Sequence, residues 1–290
     1  MNCYKFRYIE GIVLTWWNAQ EIIGAARKGL NRIEIVADLG LRRTLVEIRG
    51  TYVIINGDQF DIEILENFRE GFAYKIVEGG IRRLDTYSDG SYYKIRPVAP
   101  NVAPTIEING IHMHRIQGVD PWRDALAKVK SAGKKIWGAD VLDICTGLGY
   151  TAIAGLALGA RTVTTIEVDR NVLFLASHNP WSKGLEDPRI RIVVGDAFNV
   201  LDYLEAESYG VVVHDPPRFE VAGDLYSLSF YKKIYRVLRR GGVLVHYTGT
   251  PGRHSNIDIL KGIKSRLAKA GFDDIRWIDE IQGFKAYKIV

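Results

Sequence analysis

At 290 residues the chain is long enough for one large domain or two ordinary ones, and a net charge of +5 at pH 7 makes it only mildly basic. That charge is compatible with a polyanionic partner but falls far below the density of a dedicated nucleic-acid-binding arm. The composition, 47% hydrophobic and 25% charged, is typical of a soluble globular protein with a substantial core.

Cysteine content and hydropathy narrow the cellular setting. The two cysteines, Cys3 and Cys145, are too few for a disulfide framework, and no Cys or His spacing indicates a metal site. No apolar run approaches the ~20 residues that a membrane-spanning helix needs, and the first residues lack the apolar segment of a signal peptide. We therefore expect a cytoplasmic protein with no membrane segment and no structural metal.

Residues 1–100 are predicted to form a small β-rich accessory domain. Short runs such as "RRTLVEIRG", "TYVIING" and "SYYKIRPV" alternate with turn signals such as "NGD" and "SDG". The segment 96–105 contains several prolines and has the composition of an extended linker. We accordingly place a boundary at about residue 100 and assign residues 101–290 to a second domain.

The second domain is predicted to be α/β, with a doubly wound, mostly parallel sheet. From about residue 118 apolar runs alternate with helical segments, and strands separated by single helices pair in parallel through right-handed crossovers. The last two apolar runs have no helix between them, which predicts a hairpin at the sheet edge. The predicted strands are 139–144, 161–167, 190–194, 209–214 and 241–247, and the predicted helices are 150–158, 170–179, 198–206, 225–240 and 255–270.

Four successive predicted strands end at an acidic residue. Ligands of such sheets bind beyond the carboxyl ends of the strands, so the four acids are expected to surround one site. A turn containing Gly147 and Gly149 follows the first acid, and it lets the backbone approach a ligand closely. The four acids are Asp143, Glu167, Asp196 and Asp215.

The motifs "VLDICTGLG", "IEVD", "GDA" and "DPP" occur in this order, and with them residues from about 112 to 290 resemble a class I S-adenosylmethionine-dependent methyltransferase. The resemblance implies a Rossmann-like methyltransferase fold and S-adenosyl-L-methionine as the cofactor. One departure is Cys145, which replaces the first glycine of the usual turn and is interpreted as packing rather than as a nucleophile. The implied cofactor-binding residues are Asp143, Gly147 and Gly149 for the methionine and ribose part, Glu167 for the ribose, and Asp196 with Ala197 for the adenine.

The fourth motif, "DPPRF", resembles that of certain RNA methyltransferases, which implies methylation of a nucleobase nitrogen in transfer or ribosomal RNA. Methylation of a pyrimidine carbon requires a cysteine nucleophile, and neither Cys3 nor Cys145 suits that role. Two prolines remove backbone donors and stiffen the loop, which holds the carboxylate and carbonyl oxygens ready to orient the nitrogen. Asp215, Pro216 and Pro217 are therefore predicted to be catalytic, and Arg218 and Phe219 to bind substrate.

Two histidines upstream of the first predicted strand are further substrate-binding candidates. His112 and His114 share one face if the segment is extended, where they can orient a substrate or accept a proton. A structural role at the surface or at a cap explains the same residues.

Two other functions stay open. An aminopropyltransferase of the spermidine synthase type has a similar sheet and similar cofactor acids, but it recognises a polyamine with several acids, and Arg218 is unfavourable beside a polycation. A cofactor-binding module without catalysis is the other alternative, and the intact "DPP" loop argues against it.

Overall fold

The computed structural model describes residues 2–77, 80–217, 219, 222–249 and 257–289. The chain divides into two compact units. The first unit consists of Met1–Phe6, Arg123–Arg170 and Gly184–Val290, and the second unit consists of Arg7–Trp122 and Asn171–Lys183.

Strands make up most of the regular structure in this part of the chain. They are β1 Cys3–Tyr4, β2 Ile12–Thr15, β3 Arg32–Ala37, β4 Arg42–Arg49, β5 Tyr52–Ile55, β6 Asp58–Asp61, β7 Ala73–Val77, β8 Gly80–Arg83, β9 Asp85–Ser88, β10 Ser91–Arg96, β11 Thr105–Ile108, β12 Ile111–His112, β13 Asp140–Ile144, β14 Thr162–Glu167, β15 Ile190–Val194, β16 Tyr209–His214, β17 Leu238–Tyr247, β18 Asp273–Ile278 and β19 Gly283–Tyr287.

Helices connect the strands, and among the described residues no helix is long and apolar enough to cross a membrane. They are α1 Trp16–Arg27, α2 Glu63–Glu66, α3 Pro121–Lys130, α4 Tyr150–Ala157, α5 Arg170–His178, α6 Ala197–Val200, α7 Leu228–Val237 and α8 Ile257–Ala270.

The first unit is built on one eight-stranded sheet in the order β1-β15-β14-β13-β16-β17-β19-β18. The five strands from β15 to β17 are parallel, whereas β1 pairs antiparallel with β15, and β19 pairs antiparallel with both β17 and β18. The predicted α/β sheet and its edge hairpin are therefore present, but the sheet is mixed rather than purely parallel. The parallel strands bring the ends of β13, β14, β15 and β16 to the same edge.

The core of the first unit forms where apolar strands meet amphipathic helices. Leu142 of β13 and Val212 of β16 are fully buried, as a strand covered on both faces requires. In α7 the buried side chains recur at helical spacing, so one face of that helix packs on the sheet. They are Phe230, Tyr231, Ile234 and Val237.

Two predicted helices are shorter than expected. The predicted helix 225–240 ends at Val237, because the chain passes directly into β17, where Leu238 pairs with Tyr209 before a register shift. The predicted helix 198–206 is reduced to the single turn α6, which is followed by a 3₁₀ turn at Leu201–Tyr203. Pairing with a neighbouring strand overrides helix propensity in the first case.

The second unit contains three small antiparallel sheets: β3-β4-β5-β6, β2-β7-β8 and β12-β11-β10-β9. It also contains α1, which the sequence interpretation missed because aromatic and β-branched residues dominate that segment. Thr15 begins α1 and forms a reciprocal capping pair with Asn18, and Ile22 buries one face of the helix.

The proline-containing segment 96–105 connects two paired strands of one sheet rather than two domains. Arg96, at the end of β10, lies opposite Thr105, at the start of β11. The expected linker was therefore wrong, since the prolines form the connection of a hairpin. The roles assigned to residues 1–100 and 101–290 stay predictions.

Candidate active site

The loop between β13 and α4 is shaped by residues with left-handed backbone conformations. Gly147 and Gly149 have φ of 53° and 81°, and Cys145, at the position where the resemblance expects glycine, has φ of 76°. A Cβ atom on Gly149 would lie 2.6 Å from Leu185 Cδ1, so this position requires glycine. The loop keeps the conformation that glycine favours although cysteine pays a steric cost of order 1–3 kcal/mol for it.

Asp143 is a buried carboxylate with spare hydrogen-bonding capacity. Its Oδ2 accepts a hydrogen bond from Thr165 Oγ1 at 2.7 Å, whereas Oδ1 is buried and has no hydrogen-bond partner among the described residues. Burial raises the pKa of Asp143 to about 7, and the negative charges of Asp215 and Glu167 act in the same direction. A cationic ligand that supplied a donor would lower this desolvation cost.

Glu167 ends β14 and is held by backbone amides. Its Oε2 accepts from Gly147 N at 2.9 Å and its Oε1 accepts from Asp169 N at 3.0 Å. Burial raises the pKa of Glu167 to about 7 despite these bonds. Each oxygen keeps one further lone pair, so the carboxylate can accept two more hydrogen bonds, as a vicinal diol requires.

The end of β15 leads to Asp196 and Ala197, the predicted adenine-binding pair. Asp196 caps α6, since its Oδ1 accepts from Phe198 N at 2.7 Å, and it is exposed, while Ala197 is buried. The sequence interpretation missed Val168, which follows Glu167 and is 67% exposed. An exposed aliphatic residue directly after a strand-end acid is the signal that could have identified it as an apolar contact for a ligand.

Asp215 ends β16 in an ion pair that the sequence interpretation did not anticipate. Lys128 Nζ donates to Asp215 Oδ1 at 2.8 Å and to Oδ2 at 2.7 Å, and it lies 2.8 Å from Asp124 Oδ2. Burial lowers the pKa of the Lys128 ammonium, but the carboxylates of Asp215 and Asp124 more than offset this and hold the pKa above its ordinary value. An acid and a lysine four residues apart in "DALAK" was the available signal.

The two prolines extend from Asp215 into a supported loop. Pro216 is buried, and Pro217 O accepts a hydrogen bond from Tyr226 Oη at 2.8 Å, so one of the carbonyls expected to orient a substrate already has a partner. Phe219 is 37% exposed and lies edge-on to the Tyr226 ring, with centroids 5.3 Å apart. Arg218, the other predicted substrate-binding residue of the motif, lies outside the described residues.

A layer of neutral aromatic side chains underlies this loop. His214 stacks on His246 with centroids 4.4 Å apart, and His246 Nε2 lies 3.0 Å from Tyr231 Oη. Burial lowers the pKa of His214 to about 3 and that of His246 well below its ordinary value. Both imidazoles are therefore neutral at pH 7 and add no positive charge beneath the acids.

The strand-end acids converge on the β13–α4 loop. Burial raises the pKa of the Cys145 thiol well above its ordinary value, which makes this cysteine a poor nucleophile. Four carboxylates raise it further, and their action on one buried thiol places all of them near this loop. They are Glu167, Asp215, Asp143 and Asp196.

The two candidate histidines belong to the second unit, where they have structural partners. His112 Nε2 lies 3.2 Å from Glu107 Oε2, and His114 Nδ1 lies 2.9 Å from Thr105 Oγ1. Lys94 and Arg96 also pair with Glu107, so His112 is part of an ion cluster on the β10–β11 face. Their predicted role toward the substrate stays a prediction.

The order of the parallel strands, the antiparallel β19 and the four strand-end acids define a class I methyltransferase-like fold, which confirms the expected fold class at this level. The chain is 46% identical over 220 residues to "Uncharacterized protein MJ1233" of Methanocaldococcus jannaschii, a match that covers 76% of this chain and 74% of that protein. The chain belongs to the family of that protein.

Further similarities involve the first unit. The sequence model of the spermine/spermidine synthase domain matches residues 150–275. A polyamine aminopropyltransferase of Pyrobaculum calidifontis is 30% identical over 141 residues, covering 44% of this chain and 48% of that protein, so the match spans about half of that relative. The crystal structure of spermidine synthase from Thermotoga maritima superposes with a TM-score of 0.54 at 19% identity, covering 75% of this chain and 74% of that one, which shows a shared fold.

These findings correct the predicted function. The spermine/spermidine synthase match and the aminopropyltransferase relative favour the stated alternative over methylation of RNA. The predicted methyl transfer, the RNA substrate and S-adenosyl-L-methionine as its cofactor were therefore wrong. The physical reason is that a strand-end acid binds a ribose or a cation whichever group the sulfonium later transfers, so the motifs define the adenosyl half of a donor and not its reaction.

Proposed function

We propose that the protein is an aminopropyltransferase, which moves an aminopropyl group from decarboxylated S-adenosylmethionine to an amine of the polyamine class. The observation that carries the proposal is the convergence of four carboxylates on the β13–α4 loop. A donor with a sulfonium and an ammonium but no carboxylate matches such an acidic surface. The domain match over residues 150–275 supports the same reaction.

The donor-binding residues fit this group in their present state. Asp143 Oδ1 is buried without a hydrogen-bond partner among the described residues, and a cationic ligand would supply one. Glu167 keeps two lone pairs for ribose hydroxyls, and Val168 offers an exposed apolar side chain next to Asp196 for the adenine. When bound, the donor supplies a sulfonium that leaves as a neutral thioether.

The acceptor side is formed by the Asp215 loop. Asp215 uses one lone pair of each oxygen on Lys128, and its side chain is 18% exposed, so its outer edge can accept a hydrogen bond from an amine and then its proton. Pro216 and Pro217 restrict the loop, and the Tyr226 hydroxyl holds it by the Pro217 carbonyl. Phe219 offers an exposed ring beside the methylene chain of an acceptor. The role of these residues is to orient the nitrogen and exclude water.

The proposal is tested with the purified chain, decarboxylated S-adenosylmethionine and putrescine. Mass spectrometry should detect spermidine and 5′-methylthioadenosine in equal amounts, and the Asp215→Asn variant should form both far more slowly. A full panel of primary amines from propylamine to spermine that yields no aminopropylated product would overturn the proposal.

A further inference from the structure

A lysine ammonium occupies a cage of acidic and aromatic groups at the acceptor side of the candidate site. Lys128 Nζ lies within 2.8 Å of carboxylate oxygens of both Asp215 and Asp124, and 4.0 Å from the centre of the Tyr247 ring. Carboxylates and an aromatic face are the groups with which proteins bind an ammonium. The chain itself thus supplies a cation to a cage that would otherwise bind one from solution.

This lysine lowers the negative charge that an acceptor meets. The side chains of Lys128 and Asp124 are 3% and 2% exposed, so only the outer edge of Asp215 faces a ligand. With Lys128 ionised, the three groups sum to −1, whereas the two carboxylates alone would sum to −2. The other buried acids of this edge, Asp143 and Glu167, are only partly ionised near neutrality, because burial raises the pKa of each to about 7.

Lys128 also fixes the orientation of Asp215. The ammonium bridges both carboxylate oxygens from the buried side, and Asp215 N donates to Ile144 O at 3.2 Å. The carboxylate therefore has one plane and one free edge. A second carboxylate near that edge would be needed to hold a further ammonium of a longer polyamine, and Asp124 is taken up by Lys128.

We propose that Lys128 is a positioning residue that determines acceptor specificity, by occupying the inner side of Asp215 and so restricting the acceptor to an amine with one charged centre besides the reacting nitrogen. This inference rests on the proposed aminopropyl transfer. The acceptor is then a short diamine rather than a triamine, since each additional ammonium must leave water without finding a carboxylate.

Four variants separate charge from orientation. Lys128→Met removes the cation and leaves −2, Asp124→Asn leaves 0, and the double variant Lys128→Met/Asp124→Asn restores −1 with Asp215 no longer bridged. Lys128→Arg is the conservative control. For each protein, kcat and KM are measured with putrescine and with spermidine, and binding of both amines is measured by calorimetry in the presence of 5′-methylthioadenosine.

We expect Lys128→Met to raise the spermidine-to-putrescine ratio of kcat/KM about 10-fold and Asp124→Asn to lower it by a similar factor, because each changes the local charge by one unit. The double variant should return to the parent ratio but with a lower kcat, since its charge is restored and its Asp215 is no longer held. Lys128→Arg should keep the parent ratio.

An unchanged ratio in Lys128→Met would overturn the inference. If that variant does not bind 5′-methylthioadenosine and has therefore lost its fold, an unchanged ratio in Asp124→Asn overturns it instead. Failure of the proposed function is distinguishable, because the unaltered chain would then transfer no aminopropyl group to either amine. The calorimetric ratio of the two amines would still decide the role of Lys128 in that case.

Discussion

The two ends of β13 carry aspartates with opposite surroundings. Asp140, at the start of the strand, accepts hydrogen bonds from Arg161, Thr162 and Arg239, and the Arg161 guanidinium above all lowers its pKa to about 2. Asp143, three residues later, has no cation beside it in the printed ion pairs of this strand end, and burial raises its pKa to about 7. The chain thus satisfies one acid with its own cations and leaves the other for a cationic ligand.

The comparison generalises to the two edges of the sheet. At the amino edge, Arg239 pairs with Asp140, and Lys288 pairs with Glu207, so acids and bases neutralise one another. At the carboxyl edge the acids converge on one loop, and burial or bridging keeps them near it. A carboxylate that raises the free energy of the folded chain is retained where it binds something, which is why functional sites are enriched in perturbed pKa values.

Neutralising one acid at each edge should break the comparison most strongly in catalysis. We expect Asp215→Asn to reduce the single-turnover rate of aminopropyl transfer by about 10²-fold or more, because the amine loses its orienting and proton-accepting group. The matched variant Asp140→Asn should transfer at the parent rate. Rapid-quench assays with saturating donor measure both, and equal rates in the two variants would refute the functional difference between the edges.

The next largest effect is expected in donor binding. Glu167→Ala removes the acceptor of the proposed ribose hydrogen bonds, so the affinity for 5′-methylthioadenosine should fall about 10- to 100-fold, as for hydrogen bonds to a charged group. Titration calorimetry measures the change, with Asp140→Asn again as the control. Unchanged affinity in Glu167→Ala would remove this residue from the donor site.

The smallest effect concerns stability against pH. The folded pKa values of Asp143 and Glu167, about 7, lie above their ordinary values of 3.8 and 4.5, so the folded chain binds more protons than the unfolded chain between these limits. Stability should therefore fall as the pH rises from about 4 to about 7 and then level off. Asp140 behaves oppositely, since its lowered pKa adds stability that is lost only as the pH falls from about 4 to about 2.

The variant Asp143→Asn isolates this effect. It should remove its share of the decline, on the order of 2 kcal/mol in the free energy of unfolding between pH 5 and pH 8. Urea unfolding at the two pH values measures it. Asp140→Asn should leave the decline between pH 5 and pH 8 as it is in the parent, and a parent decline that survives in Asp143→Asn would contradict the raised pKa.

Much of the fold and part of the candidate site could be predicted from the sequence, for identifiable reasons. The apolar runs and the acids after them are local patterns, so β13, β14 and Asp143 were accessible. Lys128 was not, because its partner Asp215 lies 87 residues away and only the fold brings them together. The donor was also inaccessible, since the acids that bind an adenosyl group are the same for several sulfonium donors.

The central claim is that the carboxyl edge of the sheet binds a cationic donor that has no carboxylate. Titration calorimetry of the unaltered chain at pH 8 with decarboxylated S-adenosylmethionine and, separately, with S-adenosylmethionine tests it directly. The account predicts at least about 10-fold tighter binding of the decarboxylated donor, because the additional carboxylate of the other meets an acidic surface. Equal or tighter binding of S-adenosylmethionine would contradict it.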